Sequence, residues 1–314
     1  MCSQPQLEYT PQKLTSMTSV GLHLTKCAGT SLMSSIRRRL SEDEYVLISS
    51  YYENLLASRA QVWEIADFSR VLFVFGHYVH ESLFKLLKPI AIWDIFLFTG
   101  VREPCSRAVS QYYQLARVSQ SFPEIDDFVS NYGSSMCDEI LRAFPSMVGD
   151  DKPKWLVAAE ALTAFDYIYS TEDYSATIGP IYQSIGLATP NIEELLVDNV
   201  RSVELDPNIV AQIRERVASS DDVRLYSLIQ PAIGKQNAGK LIADDLGIYR
   251  KREQAFSMAF SQAECDYDFG HDYDLMGYEL HLLGESKKEE AIQILEQRRN
   301  RLDQLLRFLK TRNY

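Results

Sequence analysis

The chain has 314 residues, 46% of them hydrophobic, which is enough to build one large buried core. Its 43 acidic and 32 basic residues give a formal charge of -11 at pH 7, and this balance disfavours general nucleic-acid binding. The five cysteines are dispersed, as is typical of reduced thiols in a cytosol. No apolar run has the length of a signal peptide or a membrane span, so we expect a soluble, cytoplasmic protein. From the acidic charge balance we expect no nucleic acid as a partner.

The first predicted elements are a strand, a polar loop and a helix. Residues 1–16 are expected to be a flexible lead-in. The strand is indicated by apolar residues at alternate positions, namely Val20, Leu22 and Leu24. A polar segment over residues 25–31 follows. The helix after it is indicated by apolar residues at four-residue spacing, namely Leu32, Ile36 and Leu40.

The segment over residues 25–31 has the features of an anion-binding loop. The first N–H groups of a helix have no internal partner, and the helix dipole places positive charge there. Gly29 allows close approach to the backbone, Thr30 and Ser31 add hydroxyls, and Lys26 adds a charge. The order of residues is not that of a Walker A loop, in which the lysine follows the last glycine. The alternative is an ordinary strand-to-helix turn with a solvated lysine.

The rest of the chain alternates apolar runs with helical patterns. Further strands are predicted over residues 45–50, 71–75, 95–101 and 165–171. Helices are predicted over residues 81–87, 104–118, 122–144, 154–162, 173–185, 192–200, 207–218, 221–229, 238–262 and 286–312. This alternation predicts an α/β fold with a central parallel sheet flanked by helices. We expect one α/β domain over residues 17–235 and a helical C-terminal extension over residues 236–314.

Three polar residues lie just after predicted strands: Lys26, His77 and Arg102. Ligands of parallel α/β sheets bind beyond the carboxyl ends of the strands, so these side chains are expected to share one edge. Arg102 is followed by Pro104, which suits the first turn of a helix, and by Ser110 about two turns further on. A guanidinium group and a hydroxyl together suit a phosphate monoester.

The two stretches together resemble the sulfotransferases that use 3′-phosphoadenosine-5′-phosphosulfate (PAPS). The likeness is closest to the carbohydrate branch that includes heparan sulfate 2-O-sulfotransferase. The family's first loop is similar to H-I-P-K-T-A-G-T-S, and residues 23–31 read H-L-T-K-C-A-G-T-S. The family's second motif, R-x-P-x-x-R-x-x-S-x-Y, is matched by Arg102, Pro104, Arg107, Ser110 and Tyr112. The first motif departs from the family at Thr25, where proline is usual, and at Cys27.

The resemblance implies a P-loop-type sheet and the transfer of a sulfuryl group from PAPS to a hydroxyl of a small-molecule, lipid or carbohydrate acceptor, leaving PAP. It implies that Lys26 contacts the bridging oxygen and that Arg102 and Ser110 hold the 3′-phosphate. His77 would be the general base, and no metal is required. The residues expected to bind the 5′-phosphosulfate are Lys26, Cys27, Ala28, Gly29, Thr30 and Ser31.

Several alternatives remain open on the sequence. His77 could instead be a structural histidine bonded to a carbonyl, and His80 lies close enough to exchange roles with it. Arg107 is interpreted as an ion-pair or packing residue, and His23 as a residue that orients the loop. Cys27 is expected to be partly exposed and reactive because it lies beside Lys26.

The function has two competing interpretations. One is a P-loop nucleotide kinase, and the other is a non-catalytic protein that binds a 3′-phosphorylated nucleotide or serves as an adaptor. The terminal helix over residues 286–312 allows a homodimer, although docking onto the parent domain is the simpler interpretation. Alternating carboxylates over residues 266–274 indicate a solvated acidic turn rather than a metal loop.

Overall fold

The computed structural model of the chain describes residues 17–42, 44–48, 71–77, 79, 95–148, 151–191 and 206–252. The predictions made for other parts of the chain lie outside these residues. They concern the lead-in over residues 1–16, His80, the helices over 81–87 and 192–200, the ends of the predicted strand and helix at residues 49–50 and 253–262, the acidic turn over 266–274 and the terminal helix over 286–312.

Five strands form one parallel sheet. They are β1 (Thr18–Leu22), β2 (Tyr45–Ile48), β3 (Phe73–Gly76), β4 (Ile95–Val101) and β5 (Tyr167–Ser170). Their order across the sheet is β2-β3-β1-β4-β5, and each neighbouring pair is parallel. The predicted α/β class with a central parallel sheet is therefore confirmed.

Helices surround the sheet. The α-helices of the described residues are α1 (Gly29–Arg37), α2 (Pro104–Ser119), α3 (Ile125–Tyr132), α4 (Ser135–Ala143), α5 (Lys154–Leu162), α6 (Tyr174–Thr177), α7 (Gly179–Ser184), α8 (Pro207–Val217), α9 (Asp221–Ile229) and α10 (Ala238–Leu246). Helices α1, α6 and α7 share an apolar cluster with one face of the sheet. Helices α4, α5, α9 and α10 share another with the opposite face. Each strand can therefore be apolar on both sides, as the sequence pattern predicted.

Two predicted helices are each divided in the structure. The segment over residues 122–144 forms α3 and α4, and the break falls at Gly133 and Ser134. The segment over residues 173–185 forms α6 and α7, and the break falls beside Gly179 and a proline in the first turn of α7. Glycine loses more backbone entropy than other residues in a helix, and proline lacks the N–H of a helical hydrogen bond, but apolar periodicity alone records neither effect.

Helix α10 is shorter than predicted and packs onto the main core. It ends at Gly247, whose φ of 64° is the left-handed conformation that ends many helices. Ala238 and Ile242 belong to the same apolar cluster as the sheet. The packed core thus continues past residue 235, where the extension was predicted to begin. In the described ranges, no helix has both the length and the apolar character needed to span a bilayer.

Candidate functional site

The loop between β1 and α1 has an unusual backbone. Lys26 and Ala28 adopt left-handed conformations, with φ values of 66° and 59°. For a residue other than glycine this conformation costs about 1–2 kcal/mol. Left-handed residues alternating with others turn successive N–H groups toward one point, where they can bind an anion.

The N-terminus of α1 is uncapped. Ala28 occupies the N-cap position, and no side chain accepts a hydrogen bond from the first turn. Within the described residues, the N–H groups of residues 28–31 have no backbone acceptor, and the first bond of the helix runs from the Leu32 N–H to the Ala28 carbonyl. Helix α2 starts at the same edge and differs, because Glu103 accepts from the N–H groups of Cys105 and Ser106. Only the first of these two helices therefore offers its donors to a ligand.

The strand order places this loop beside the change of direction in the sheet. From β1 the chain passes to β2 on one side, and from the adjacent β4 it passes to β5 on the other. In open α/β sheets the ligand crevice lies where neighbouring connections diverge in this way. Lys26 follows β1 and Arg102 follows β4, so both residues flank that crevice.

The charge of Lys26 is influenced by other cations. Burial lowers the pKa of this half-buried lysine, and the nearby charges of Arg102 and Arg117 lower it further. Arg117 is exposed near the end of α2, and sequence reasoning did not single it out. Lys26, Arg102 and Arg117 therefore lie close enough for their charges to repel one another. A bound anion would reduce this repulsion.

His77 lies directly after β3, beside the loop. Its ring stacks on the ring of His23, with 3.8 Å between the centroids, and its Nδ1 is 2.8 Å from the His23 carbonyl oxygen. A carbonyl oxygen only accepts, so Nδ1 carries the proton, and the neutral ring has its lone pair on Nε2. This carbonyl contact is the one expected for a structural histidine, and it also fixes the orientation that a general base requires.

His23 lies under the start of α1. A Cβ atom added to Gly29 would be 1.9 Å from the His23 Nε2, so only glycine leaves room for this ring. The ring is buried, and its pKa is lowered well below the ordinary histidine value by burial, by His77 and by Lys26. His23 therefore stays neutral near pH 7 and supports the loop, in agreement with its interpretation as an orienting residue.

The expectation that Cys27 is exposed and reactive is wrong. Its side chain is fully buried, and burial raises the pKa of the thiol to about 12. Its N–H donates to the Leu24 carbonyl at 3.2 Å, within the loop. Its carbonyl accepts from the buried Tyr169 hydroxyl at 2.9 Å. Cys27 therefore shapes the loop, and the donors offered to a ligand belong to residues 28–31.

The structure brings the three strand-end residues to one edge of the sheet, because β3, β1 and β4 are neighbours there. Ser110 lies half-buried on α2, about 9 Å along the helix from Pro104. Arg107 on the same helix is buried and forms ion pairs with Glu139 and Asp222, which confirms its interpretation as an ion-pair residue. The partners of Arg107 were not predicted, since they lie 32 and 115 positions away.

Across the ranges that the structure describes, no group of three or more histidine, cysteine or carboxylate residues is arranged to hold a metal ion. Comparisons with protein-family models, curated proteins and solved structures gave no match.

Proposed function

We propose that this protein is a PAPS-dependent sulfotransferase that transfers a sulfuryl group to a hydroxyl of a small-molecule, lipid or carbohydrate acceptor. One observation carries the proposal: an uncapped helix N-terminus follows a left-handed loop, with Lys26 and Arg102 on either side of the crevice. Helix N-termini of this kind bind phosphate and sulfate.

The residues present fit a nucleotide with two separate anionic groups. The N–H groups of residues 28–31 and the hydroxyls of Thr30 and Ser31 would hold the 5′-phosphosulfate. Arg102 and Ser110 would hold the 3′-phosphate, because a guanidinium group forms paired hydrogen bonds with phosphate oxygens. PAPS, when bound, supplies the sulfuryl group.

Two side chains would assist the transfer. Lys26 would stabilise negative charge on the phosphate side of the breaking bond, since the residue belongs to the loop between β1 and α1. His77 would accept the proton of the acceptor hydroxyl at Nε2, and its bond to the His23 carbonyl holds the ring in place. Positioning and charge stabilisation account for most of the catalysis in such group transfers.

The direct test is calorimetric titration of the purified protein with PAP, adenosine 5′-phosphosulfate and ATP. We expect micromolar affinity for PAP and weaker binding of the two nucleotides without a 3′-phosphate. Arg102→Ala should weaken PAP binding by about tenfold to a hundredfold, because a charged hydrogen bond is lost. Arg38→Ala removes the same charge from the exposed end of α1 and is the matched control.

The outcomes separate the competing functions. Preference for ATP would favour a nucleotide kinase and contradict the proposal. PAP binding without transfer to any of a panel of hydroxyl acceptors would favour a non-catalytic nucleotide-binding protein.

A further inference from the structure

A buried polar network lies behind the anion-binding loop. Its centre is Arg107 of α2, which is 3% exposed. The Arg107 Nε donates to the Thr25 carbonyl at 2.9 Å, and Nη2 donates to the Glu139 Oε1 at 2.7 Å. Nη1 donates to the Ser135 Oγ at 2.7 Å and contacts the Asp222 Oδ2 at 3.3 Å.

Glu139 of α4 completes a closed set of contacts around Thr25. Its Oε2 accepts the Thr25 N–H at 2.6 Å, while its Oε1 is bonded to Arg107. The two backbone groups of Thr25 are therefore held by two side chains that are also bonded to each other. Thr25 directly precedes Lys26, the first left-handed residue of the loop.

The network extends into the helices on this face of the sheet. Asp222 of α9 accepts from the N–H groups of Met136 and Cys137, both at 2.9 Å, in the first turn of α4. The same carboxylate contacts Arg107. The loop, α2, α4 and α9 are thus connected through one set of buried hydrogen bonds.

These contacts can hold the strained backbone of the loop in place. Two left-handed residues other than glycine persist only where the surroundings fix the chain. Buried ion pairs contribute little net stability in general, because desolvation offsets their attraction. The main consequence of a buried arginine that donates to a loop carbonyl is therefore to hold that loop in one conformation, and not to raise the overall stability of the fold.

We propose that Arg107 and Glu139 are positioning residues that hold the loop over residues 25–28 in its anion-binding conformation before any ligand is present. The expected effect of these two residues on nucleotide binding rests on the proposed function, whereas their effect on the conformation of the loop does not. The residues act through the Thr25 backbone and do not touch the ligand.

Glu139→Gln is the sharpest test. Glutamine keeps the shape of the side chain, but its NH2 group replaces one of the two oxygens and would face either the Thr25 N–H or the Arg107 Nη2, each of which is a donor. Asp138→Asn is the matched control, because Asp138 neighbours Glu139 on α4 and pairs with the exposed Lys154 instead. Arg107→Lys is a second variant that keeps the charge and loses the guanidinium geometry.

Cys27 reports on the loop without any nucleotide. Its alkylation by iodoacetamide, followed by peptide mass spectrometry, measures how often the loop opens, and hydrogen exchange of the same peptide checks that a changed pKa of the thiol, to which Glu139 and Arg107 contribute, does not cause the difference. Cys137 is also fully buried and reports on general unfolding. We expect Glu139→Gln and Arg107→Lys to raise the alkylation rate of Cys27 by about tenfold, as the loss of one buried charged hydrogen bond implies. In Glu139→Gln, Cys137 should keep its wild-type rate, because its partner Asp222 is bonded to Arg107 and not to Glu139, and Asp138→Asn should change neither thiol.

Two outcomes would overturn the proposal. One is a Cys27 rate in Glu139→Gln equal to that of the wild type, and the other is an equal rise at both thiols, which would indicate general unfolding. PAP affinity, measured on the same samples, should fall about tenfold in Glu139→Gln. If the wild type binds no PAP, the proposed function fails, and the thiol measurement still decides the role of the network.

Discussion

The hydrogen-bond partner of His77 determines which nitrogen of its imidazole carries the proton. Nδ1 lies 2.8 Å from the His23 carbonyl oxygen, which can only accept a hydrogen bond. In the neutral ring Nε2 is then the basic nitrogen. Because His77 follows β3 beside the loop, its ring lies at the carboxyl edge of the sheet, where the proposed ligand binds.

Replacing His77 by alanine should therefore affect the transfer step and leave nucleotide binding intact. We expect turnover to fall by about a hundredfold to ten-thousandfold, the usual contribution of a general base. PAP affinity, measured by calorimetry, should be nearly unchanged. His77→Asn keeps a donor for the His23 carbonyl, and it should lose as much turnover as His77→Ala. Wild-type turnover in either variant would rule out His77 as the base.

The ammonium group of Lys26 predicts an effect of pH on binding. Burial, Arg102 and Arg117 lower its pKa, so it loses its charge at a lower pH than an ordinary lysine. Since the charged form attracts the phosphates, PAP affinity should fall as the pH rises through this lowered pKa. Calorimetry from about pH 7 to about pH 10 covers the range below the ordinary lysine value.

Lys26→Arg provides the control for this pH effect, because a guanidinium group stays charged throughout that range. The alkaline decline should disappear in this variant. A decline of equal size in Lys26→Arg would mean that another group causes it.

At this scale the sequence predicted the residues at strand ends and the orienting role of His23, and it missed Glu139 and Asp222, the partners of Arg107. Lys26, His77 and Arg102 follow apolar strands, and parallel strands bring their carboxyl ends to one edge. The burial of Cys27 was not predicted, because the sequence shows that a lysine is adjacent to the cysteine but does not show how the side chains of the loop pack. The bond between Arg107 and Glu139 spans 32 positions, and no local pattern records such a pairing.

At the scale of elements, β1, the loop and α1 form one unit around the ring of His23. The ring packs under Gly29, the first residue of α1, and leaves no room for a side chain there. The position of the helix N-terminus thus depends on this single close approach.

Gly29→Ala should accordingly displace the helix start and abolish PAP binding. The added Cβ would be 1.9 Å from the His23 Nε2, so the ring or the loop must move. Gly179→Ala is the matched control, since Gly179 also begins a helix and its nearest neighbour would be the Thr189 Oγ1 at 3.2 Å. Calorimetry and thermal unfolding compare the two variants. Wild-type PAP affinity in Gly29→Ala would contradict the role of this packing.

The predicted boundaries of the strands and helices agree best with the structure where the apolar runs are continuous. Strand β4 was predicted over residues 95–101 and forms over Ile95–Val101. The division of the predicted helix over residues 122–144 was missed, because its apolar spacing continues across Gly133. Periodicity reports which face is buried, and it does not report whether the backbone stays helical.

At the scale of the whole molecule, the two edges of the sheet differ in chemistry. The carboxyl edge carries the cationic site, and the amino edge carries a structural cluster around Asp166, just before β5. Asp166 accepts from Arg250, at 2.8 Å, and from Arg252, and it also accepts the Leu97 N–H at 2.8 Å. These contacts fasten the chain after α10 to the start of β4 and β5.

Asp166→Ala should consequently lower stability without affecting binding. It removes an acceptor shared by two arginines and a backbone N–H, and we expect a loss of about 3 kcal/mol in the free energy of unfolding. PAP affinity should stay at the wild-type value below the melting temperature. Asp126→Ala breaks the exposed pair with Arg216 and should cost about 1 kcal/mol or less. Denaturant unfolding distinguishes the two, and equal losses would contradict the assignment.

The strand order was not predictable from the pattern of elements. Alternating strands and helices fit several orders of a parallel sheet, and only the packing of one strand on another decides among them. The order matters for function, because it places the loop after β1 next to the loop after β4.

The most direct measurement is a crystal structure of the protein with PAP bound. We expect the 5′-phosphate at hydrogen-bond distance from the N–H groups of residues 28–31, with Lys26 beside it. We expect the 3′-phosphate in contact with Arg102 and Ser110. A nucleotide bound elsewhere on the protein, or one whose 3′-phosphate is turned away from Arg102, would contradict the proposed site.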